Sequence, residues 1–175
     1  MKRQVGYHWH LRRLMTELRP PALDEIGLEV ALRDYMTDFD RRIEARCEFL
    51  GELGEGRLEP SVETTLYRVA QEALTNVDKH ARASSVRVVL SSDSDSVRLR
   101  VEDDGVGFEP KRSSDLIEGG HFGVVGMRER VERAGGTLTL QDAPGGGTVI
   151  EVLLPLAPAT TSATPVRRPV EVRAA

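Results

Sequence analysis

The segment SVRLRVEDDGVGF, residues 96–108, decides how the rest of the chain is read. Val97, Leu99 and Val101 alternate with Arg98, Arg100 and Glu102, the period-two pattern of a strand with one buried face. Continuing that period puts Asp103 on the apolar face with the valines. A carboxylate there needs a partner or a cleft, because burying a lone charge is costly. Asp104 and the bend-prone Gly105-Val106-Gly107 follow at once. The strand thus carries an acceptor inward at the point where the chain turns.

Outward from this strand the pattern alternates irregularly. A second strand is expected at about 85–91, and two more at 137–142 and 148–155, joined through PGGG at 144–147. CEFLGEL, 47–53, reads as a short edge strand. The longest helical signal is EPSVETTLYRVAQEALTNVDKHA, 59–81, with Pro60 well placed near its start. A helix is expected over about 24–45, with Leu28, Ala31, Leu32, Tyr35, Met36 and Phe39 as its apolar stripe. Another is expected over 123–134, ending at Gly135 and Gly136. Residues 7–18 read as the end of an amphipathic helix, stopped by Arg19-Pro20-Pro21. The segment 104–122 reads as a loop. Strands linked by short turns, without strict βαβ alternation, favour an α+β fold: a two-layer sandwich with a mixed sheet and helices on one face. The expected division is 1–45 as an N-terminal helical portion, 46–156 as the domain, and 157–175, rich in Pro, Thr and Ala, as a disordered tail.

The chain has 175 residues, 39% hydrophobic and 30% charged, consistent with one soluble globular domain plus appendages. A net charge of −4 gives no general affinity for nucleic acid. The single cysteine, Cys47, excludes an internal disulfide framework and a zinc cluster and fits a reducing compartment. No apolar run approaches the roughly 20 residues needed to cross a bilayer, and MKRQVGYHWH lacks a signal peptide's apolar core. A cytoplasmic chain without direct membrane contact is expected, although a longer protein containing it could be membrane-anchored.

On the long helix, Leu66, Val69, Ala70, Ala73, Leu74 and Val77 share one side, and Glu72, Asn76 and Lys79 form a polar stripe bordering it. That stripe is either a solvated face with local pairing or the wall of a cleft. In a cleft, an amide oxygen and a carboxylate suit a hydrated divalent cation. GHFGVVGMR, 120–128, runs into a helix, so its glycines either end a mobile loop or bring backbone N–H groups towards an anion. There is no G-x-x-x-x-G-K-[ST], and no helix opens after Gly105-x-Gly107, so the P-loop and the dinucleotide fingerprint both fail. GGGT at 145–148 reads as a hairpin turn. His8, His10, His80 and His121 form no zinc pattern, and no serine nucleophile motif is present.

The order of these signals is more telling than any one of them. RVAQEALTNVDKHA (68–81), DDGVGF (103–108), HFGVVGMRER (121–130) and GGT (146–148), with Leu154-Pro155, closely resemble the ATP-binding domain of sensor histidine kinases. This superfamily also includes DNA gyrase, the ninety-kilodalton heat-shock chaperones and the MutL mismatch-repair proteins. The resemblance covers about 50–155, and QEALTNVDKHA, the short lid and GMRERV are similar to the nitrate/nitrite-sensor-type subfamily. It implies a Bergerat-type fold that binds ATP with Mg²⁺. Asp103 then matches the acceptor for the adenine amine, with Gly105 and Gly107 letting the chain turn closely around the base. Asn76 matches the Mg²⁺ ligand, and Lys79 and His80 match positions close to the phosphates. Gly123 and Gly126, flanking Val124, match the hinges of the ATP lid, and Thr148 matches a threonine near the adenine pocket. Glu72 matches the helix carboxylate, as a base or an organiser of the magnesium shell.

LRPPALDEIGL, 18–28, is similar to the segment that joins the dimerisation helices to the ATPase domain in that subfamily. Residues 7–18 would then end the second helix of the dimerisation hairpin. His8 and His10, in HWHLRR, do not match the phosphoacceptor box, so the acceptor histidine is expected from another segment or chain. The implied activity is a protein-histidine kinase, with a histidine-bearing dimerisation domain and a response regulator as partners. A homodimer would form through further N-terminal helices. The alternatives are a regulatory ATP-binding module without transfer, and an ATPase or serine kinase of the same superfamily.

Overall fold

The computed structural model describes residues 20–54, 56–107 and 122–156. The expected helix at 7–18, His8, His10, His121, most of the loop 104–122 and the tail from Ala157 lie outside them. The elements run α1 (Pro21–Asp40), β1 (Arg46–Glu52), α2 (Pro60–Asn76), a π-helical turn (Val77–Ala81), β2 (Ser85–Ser92), β3 (Ser96–Asp103), α3 (Phe122–Arg133), β4 (Thr137–Asp142) and β5 (Thr148–Pro155).

The strands form one five-stranded sheet in the order β1-β2-β3-β5-β4. β1 lies parallel to β2 at one edge, and the other pairings are antiparallel. The parallel pair exists because α2 crosses over between β1 and β2. The sheet is therefore mixed, and its inward face is set by alternation. Val86, Val88 and Leu90 of β2, Val97, Leu99 and Val101 of β3, and Val152 and Leu154 of β5 are all buried. The opposite face carries an ion ladder, with Arg87 on Glu48 at 2.7 Å and Arg100 on Glu102 at 3.1 Å. Such exposed pairs are worth at most about 1 kcal/mol each, so this face stays wet without holding the fold together.

α2 covers the middle of the inward face. Glu59 caps it by accepting from the Ser61 N–H at 3.0 Å, and Pro60 takes the first helical position, where no N–H is needed. The apolar side read from the sequence, Leu66, Val69, Ala70, Ala73, Leu74 and Val77, is buried throughout. α1 packs on α2 and on β1, with Tyr35 and Tyr67 meeting edge to face at 6.1 Å. The sheet and helix layers are as the sequence implies, but both ends of α1 and the end of the long helix differ. α1 begins at Pro21 rather than about residue 24, because a proline that stops one helix is equally suited to open the next. It ends at Asp40, short of residue 45, and it is broken at Gly27 (φ 77, ψ 171). The long helix stays α-helical only to Asn76 and then widens into the π turn.

Cys47 is half-buried in β1, and burial first, then the neighbouring Asp40, push its thiol up to about 11. It is therefore a thiol and not a nucleophilic thiolate at neutral pH.

Leu66 is fully buried between α2 and the sheet, whereas Leu50 on the wet face is 49% exposed. Leu66→Ala is expected to cost about 2–5 kcal/mol in urea unfolding followed by circular dichroism, and Leu50→Ala less than about 1 kcal/mol.

Candidate functional site

The register of the two central strands creates the first half of the site. Glu102 of β3 faces Val149 of β5, so the next step of the antiparallel ladder brings Asp103 beside Thr148. Asp103 is only 5% exposed. Its carboxylate accepts from the Gly105 N–H at 2.9 Å and from both the backbone N–H and the hydroxyl of Thr148. Burial raises its pKa above the usual carboxylate value, and Asp104 adds to the rise. The bonds from Gly105 and Thr148 oppose it.

Backbone packs tightly around this carboxylate. A Cβ at Gly105 would run into the carbonyl of Ala81, whose oxygen also accepts the Val106 N–H at 2.9 Å. A Cβ at Gly147 (φ 93) would collide with the Asp103 carbonyl. Gly107 (φ 81) lies over the same turn, where its Cβ would meet the Gly147 carbonyl at 3.4 Å. The GGGT segment is thus the hairpin turn expected, with positive φ at Gly145, Gly146 and Gly147, and it also forms the floor under Asp103.

The adjacent carboxylate faces elsewhere. Asp104 accepts from the N–H groups of Ser84 and Ser85 at 2.7 and 2.8 Å and from the Ser84 hydroxyl at 2.6 Å. The Ser84 hydroxyl chiefly, then the Ser85 N–H, lower its pKa. Asp103 is presented inward while Asp104 pins the start of β2.

The second half lies where α2 meets the start of α3. Glu72 and Asn76 are half-buried one helical turn apart, and the Glu72 carboxylate sits directly against Gly123. Any side chain at Gly123 would displace that carboxylate. Val124 is buried beside it, whereas a Cβ at Gly126 would meet nothing within 4 Å. Arg130 lies further along α3. Burial, then Arg68 and Arg133, lower its pKa, while Glu72 pulls the other way.

The π turn joins the halves, running from the end of α2 at Asn76 to Ala81, which touches Gly105. Lys79 and His80 lie exposed on it. Widened helical turns recur at functional sites. Asp103, Gly105, Gly107 and Thr148 thus come together around one turn, and Glu72, Asn76, Gly123 and Val124 around the other. Gly126 makes no such contact. Ala81 and Gly147 complete the first cluster, Ala81 with no signal in the sequence and Gly147 only as part of a glycine run. Among the described residues no group of three or more His, Cys, Asp or Glu could hold a metal ion by itself. The oxygen atoms of Asn76 and Glu72 nevertheless have the chemistry of a partial magnesium shell, completed by a ligand's own oxygens. No described helix is long and apolar enough to cross a membrane.

Comparison with known proteins agrees with this geometry. Residues 61–158 match the family described as histidine kinase-, DNA gyrase B- and HSP90-like ATPase. The chain is 36% identical over 141 residues to the signal transduction histidine-protein kinase/phosphatase DegS of Bacillus subtilis (strain 168). It is 35% identical over 146 residues to the oxygen sensor histidine kinase NreB of Staphylococcus carnosus (strain TM300). These alignments cover 79% and 83% of the chain but 36% and 41% of the relatives, so the chain spans about two fifths of their length. Among solved structures, the histidine kinase domain of a blue-light activated kinase from Erythrobacter litoralis superposes with a TM-score of 0.58 at 23% identity, over 74% of this chain and 61% of that one. The ATP-binding domain of PrrB from Mycobacterium tuberculosis superposes with a TM-score of 0.52 at 19% identity, over 74% and 91%. At these identities the structural likeness is one of fold.

The raised pKa of Asp103 makes its ionisation unfavourable to the folded, ligand-free chain. Its contribution to stability is present while it is protonated and is lost as pH rises through the folded-state pKa. Asparagine keeps a carbonyl for Gly105 and Thr148 without the charge. Asp103→Asn is therefore expected to raise the unfolding temperature at about pH 7, the gap closing below about pH 4. Thermal melts at both pH values check this.

Proposed function

Because the chain belongs to the histidine kinase-, DNA gyrase B- and HSP90-like ATPase family, we propose that it is the ATP-binding catalytic part of a two-component sensor histidine kinase. It passes the γ-phosphoryl of ATP to a histidine supplied by another segment or chain, from which the group goes to an aspartate of a response regulator. The observation that carries this reading is Asp103, an acceptor 5% exposed on the apolar face and seated by Gly105 and Thr148. An acceptor so fixed suits the amine edge of adenine in an otherwise apolar cleft.

In this reading Asp103 selects the base, Gly105 and Gly107 let the backbone follow it, and Thr148 orients the carboxylate. Asn76, with Glu72 behind it, would hold Mg²⁺ jointly with the phosphates. The metal would supply charge neutralisation on the triphosphate. Lys79 and His80, on the exposed turn, face the phosphate end, and Gly123 and Gly126 flank Val124 at the base of the lid. In the transfer, an imidazole nitrogen bonds to the γ-phosphorus, the bond to the β,γ-bridging oxygen breaks, and ADP leaves. Glu72 takes the imidazole proton or orders the magnesium shell. Catalysis then rests mainly on positioning and charge stabilisation. The dimerisation domain, the response regulator, the cytoplasmic location and dimerisation through further helices belong to this reading. So do the boundaries near residues 45 and 156, beyond which the chain contributes connecting and tail segments.

The test uses the purified chain with Mg²⁺ and γ-labelled ATP, alone and with dimerisation hairpins from several related kinases. Acid-labile, alkali-stable label on a hairpin is expected, and Asp103→Asn should weaken ATP binding by at least about tenfold. ATP binding with no label on any hairpin would identify a regulatory module. Steady phosphate release by the chain alone would identify an ATPase.

A further inference from the structure

Glu72 is half-buried, yet among the described residues its carboxylate has no hydrogen bond and no ion pair. Arg130 feels its charge through space alone. No donor therefore fixes the direction of this carboxylate, and an unrestrained glutamate samples many rotamers. Packing has to do what hydrogen bonds do for Asp103.

The backbones on either side of it are firmly held. On α2, Ala73 beside Glu72 is fully buried, as are Val69 and Ala70. On α3, Val124 beside Gly123 is buried, and Met127 and Val131 continue the same apolar side. Between these backbones the end of Glu72 lies against Gly123. A Cβ there would overlap Oε1 and stand 3.0 Å from Cδ and 3.3 Å from Cγ. Gly123 lies within α3 and has no positive φ, so the need for glycine is one of space and not of backbone conformation. Gly126 offers the contrast, since a Cβ there would meet nothing within 4 Å. At residue 123 the atom that must yield is the far end of a flexible side chain. Alanine there moves the carboxylate and leaves the helix in place.

We propose that Gly123 is a positioning residue for Glu72: the space left by its missing side chain is a seat that directs the carboxylate. Resting on the function proposed above, the seat sets where Glu72 meets the imidazole proton or the magnesium shell during transfer. The role is separate from that of a hinge, because a hinge needs backbone freedom and a seat needs only room. It also separates the two glycines of α3, of which only Gly123 provides a seat.

The test compares Gly123→Ala with Gly126→Ala. The carboxyl ¹³C resonance of Glu72, identified by its loss in Glu72→Gln, is read at about pH 7 without ATP or Mg²⁺. Gly123→Ala is expected to displace it well beyond any change caused by Gly126→Ala, with the melting temperature close to the parent's. An unmoved resonance in Gly123→Ala would overturn the proposal. If Gly123→Ala unfolds the chain, the Glu72→Ala background decides. Folding restored there supports the seat, and unfolding there as well overturns it. In transfer to a hairpin histidine, Gly123→Ala should lower kcat about ten- to a hundredfold, because a reacting group displaced by about 1 Å can cost that much. KM for ATP should stay within about threefold. In Glu72→Gln, adding Gly123→Ala should change kcat by less than about twofold, since the carboxylate it would displace is already gone. Losses that multiply in the double variant, or ATP binding weakened alike by both alanines, would assign Gly123 to the hinge and overturn the seat. The resonance is read without nucleotide, so a chain that labels no hairpin fails the kinase reading and leaves this result standing.

Discussion

Everything at the site follows from one constraint: a carboxylate has to be kept on the apolar face of the central strand. Water cannot solvate Asp103 there, so the protein provides the donors, an N–H from Gly105 and both polar groups of Thr148. The Thr148 donors arrive only if β3 and β5 hold their register, because a slip of one residue turns every side chain to the other face. The valines and leucines flanking Asp103 fix that register by burying one side of both strands. The hydrophobic core and the buried carboxylate are thus specified by the same alternation. Burial outweighs these donors, so the Asp103 carboxyl titrates above the usual carboxylate range.

The same economy governs α2. Its buried stripe holds the helix on the sheet, and the residues just off that stripe, Glu72 and Asn76, gain fixed positions without any structure of their own. The π turn then carries the chain to Ala81, whose carbonyl binds the Val106 N–H and abuts Gly105. The helix end and the strand end therefore share a backbone contact that joins α2 to the turn around Asp103. At the other end of α2, Glu63 accepts from Arg57, whose guanidinium also donates to the carbonyls of Leu23 and Asp24 in α1. One helix thereby carries contacts to α1 at one end and the polar residues of the site at the other.

What the sequence discloses depends on the range of the interaction that fixes it. The last three strands, Ser96–Asp103, Thr137–Asp142 and Thr148–Pro155, match their expected bounds because period-two alternation and glycine-rich turns are local signals. The break at Gly27 was not legible, since an isolated glycine inside a helical stripe is compatible with an unbroken helix. The inward placement of Asp103 was legible from the same alternation, whereas the partners of Asp104, Ser84 and Ser85 across the strand pair, were not. The four ordered motifs made the fold and family legible because each occupies a fixed place on it. Assigning a role to each residue within them needed the contacts.

The two glycines at the start of α3 show how far such contacts refine a motif. By resemblance both are hinges of one lid. In the structure Gly123 has the Glu72 carboxylate where a Cβ would stand, so its lack of a side chain is required by packing in the observed conformation. Gly126 has open space around it, and a glycine inside a helix costs about 1 kcal/mol relative to alanine. The observed conformation thus requires glycine at residue 123 and merely tolerates it at 126. If residue 126 has a need for glycine, it arises in a different arrangement of α3. Glu72 couples the first glycine to α2, so any movement of the start of α3 also releases or reseats that carboxylate. The start of α3 and the polar stripe of α2 thus meet at one contact, where a side chain at residue 123 would have to displace the Glu72 carboxylate.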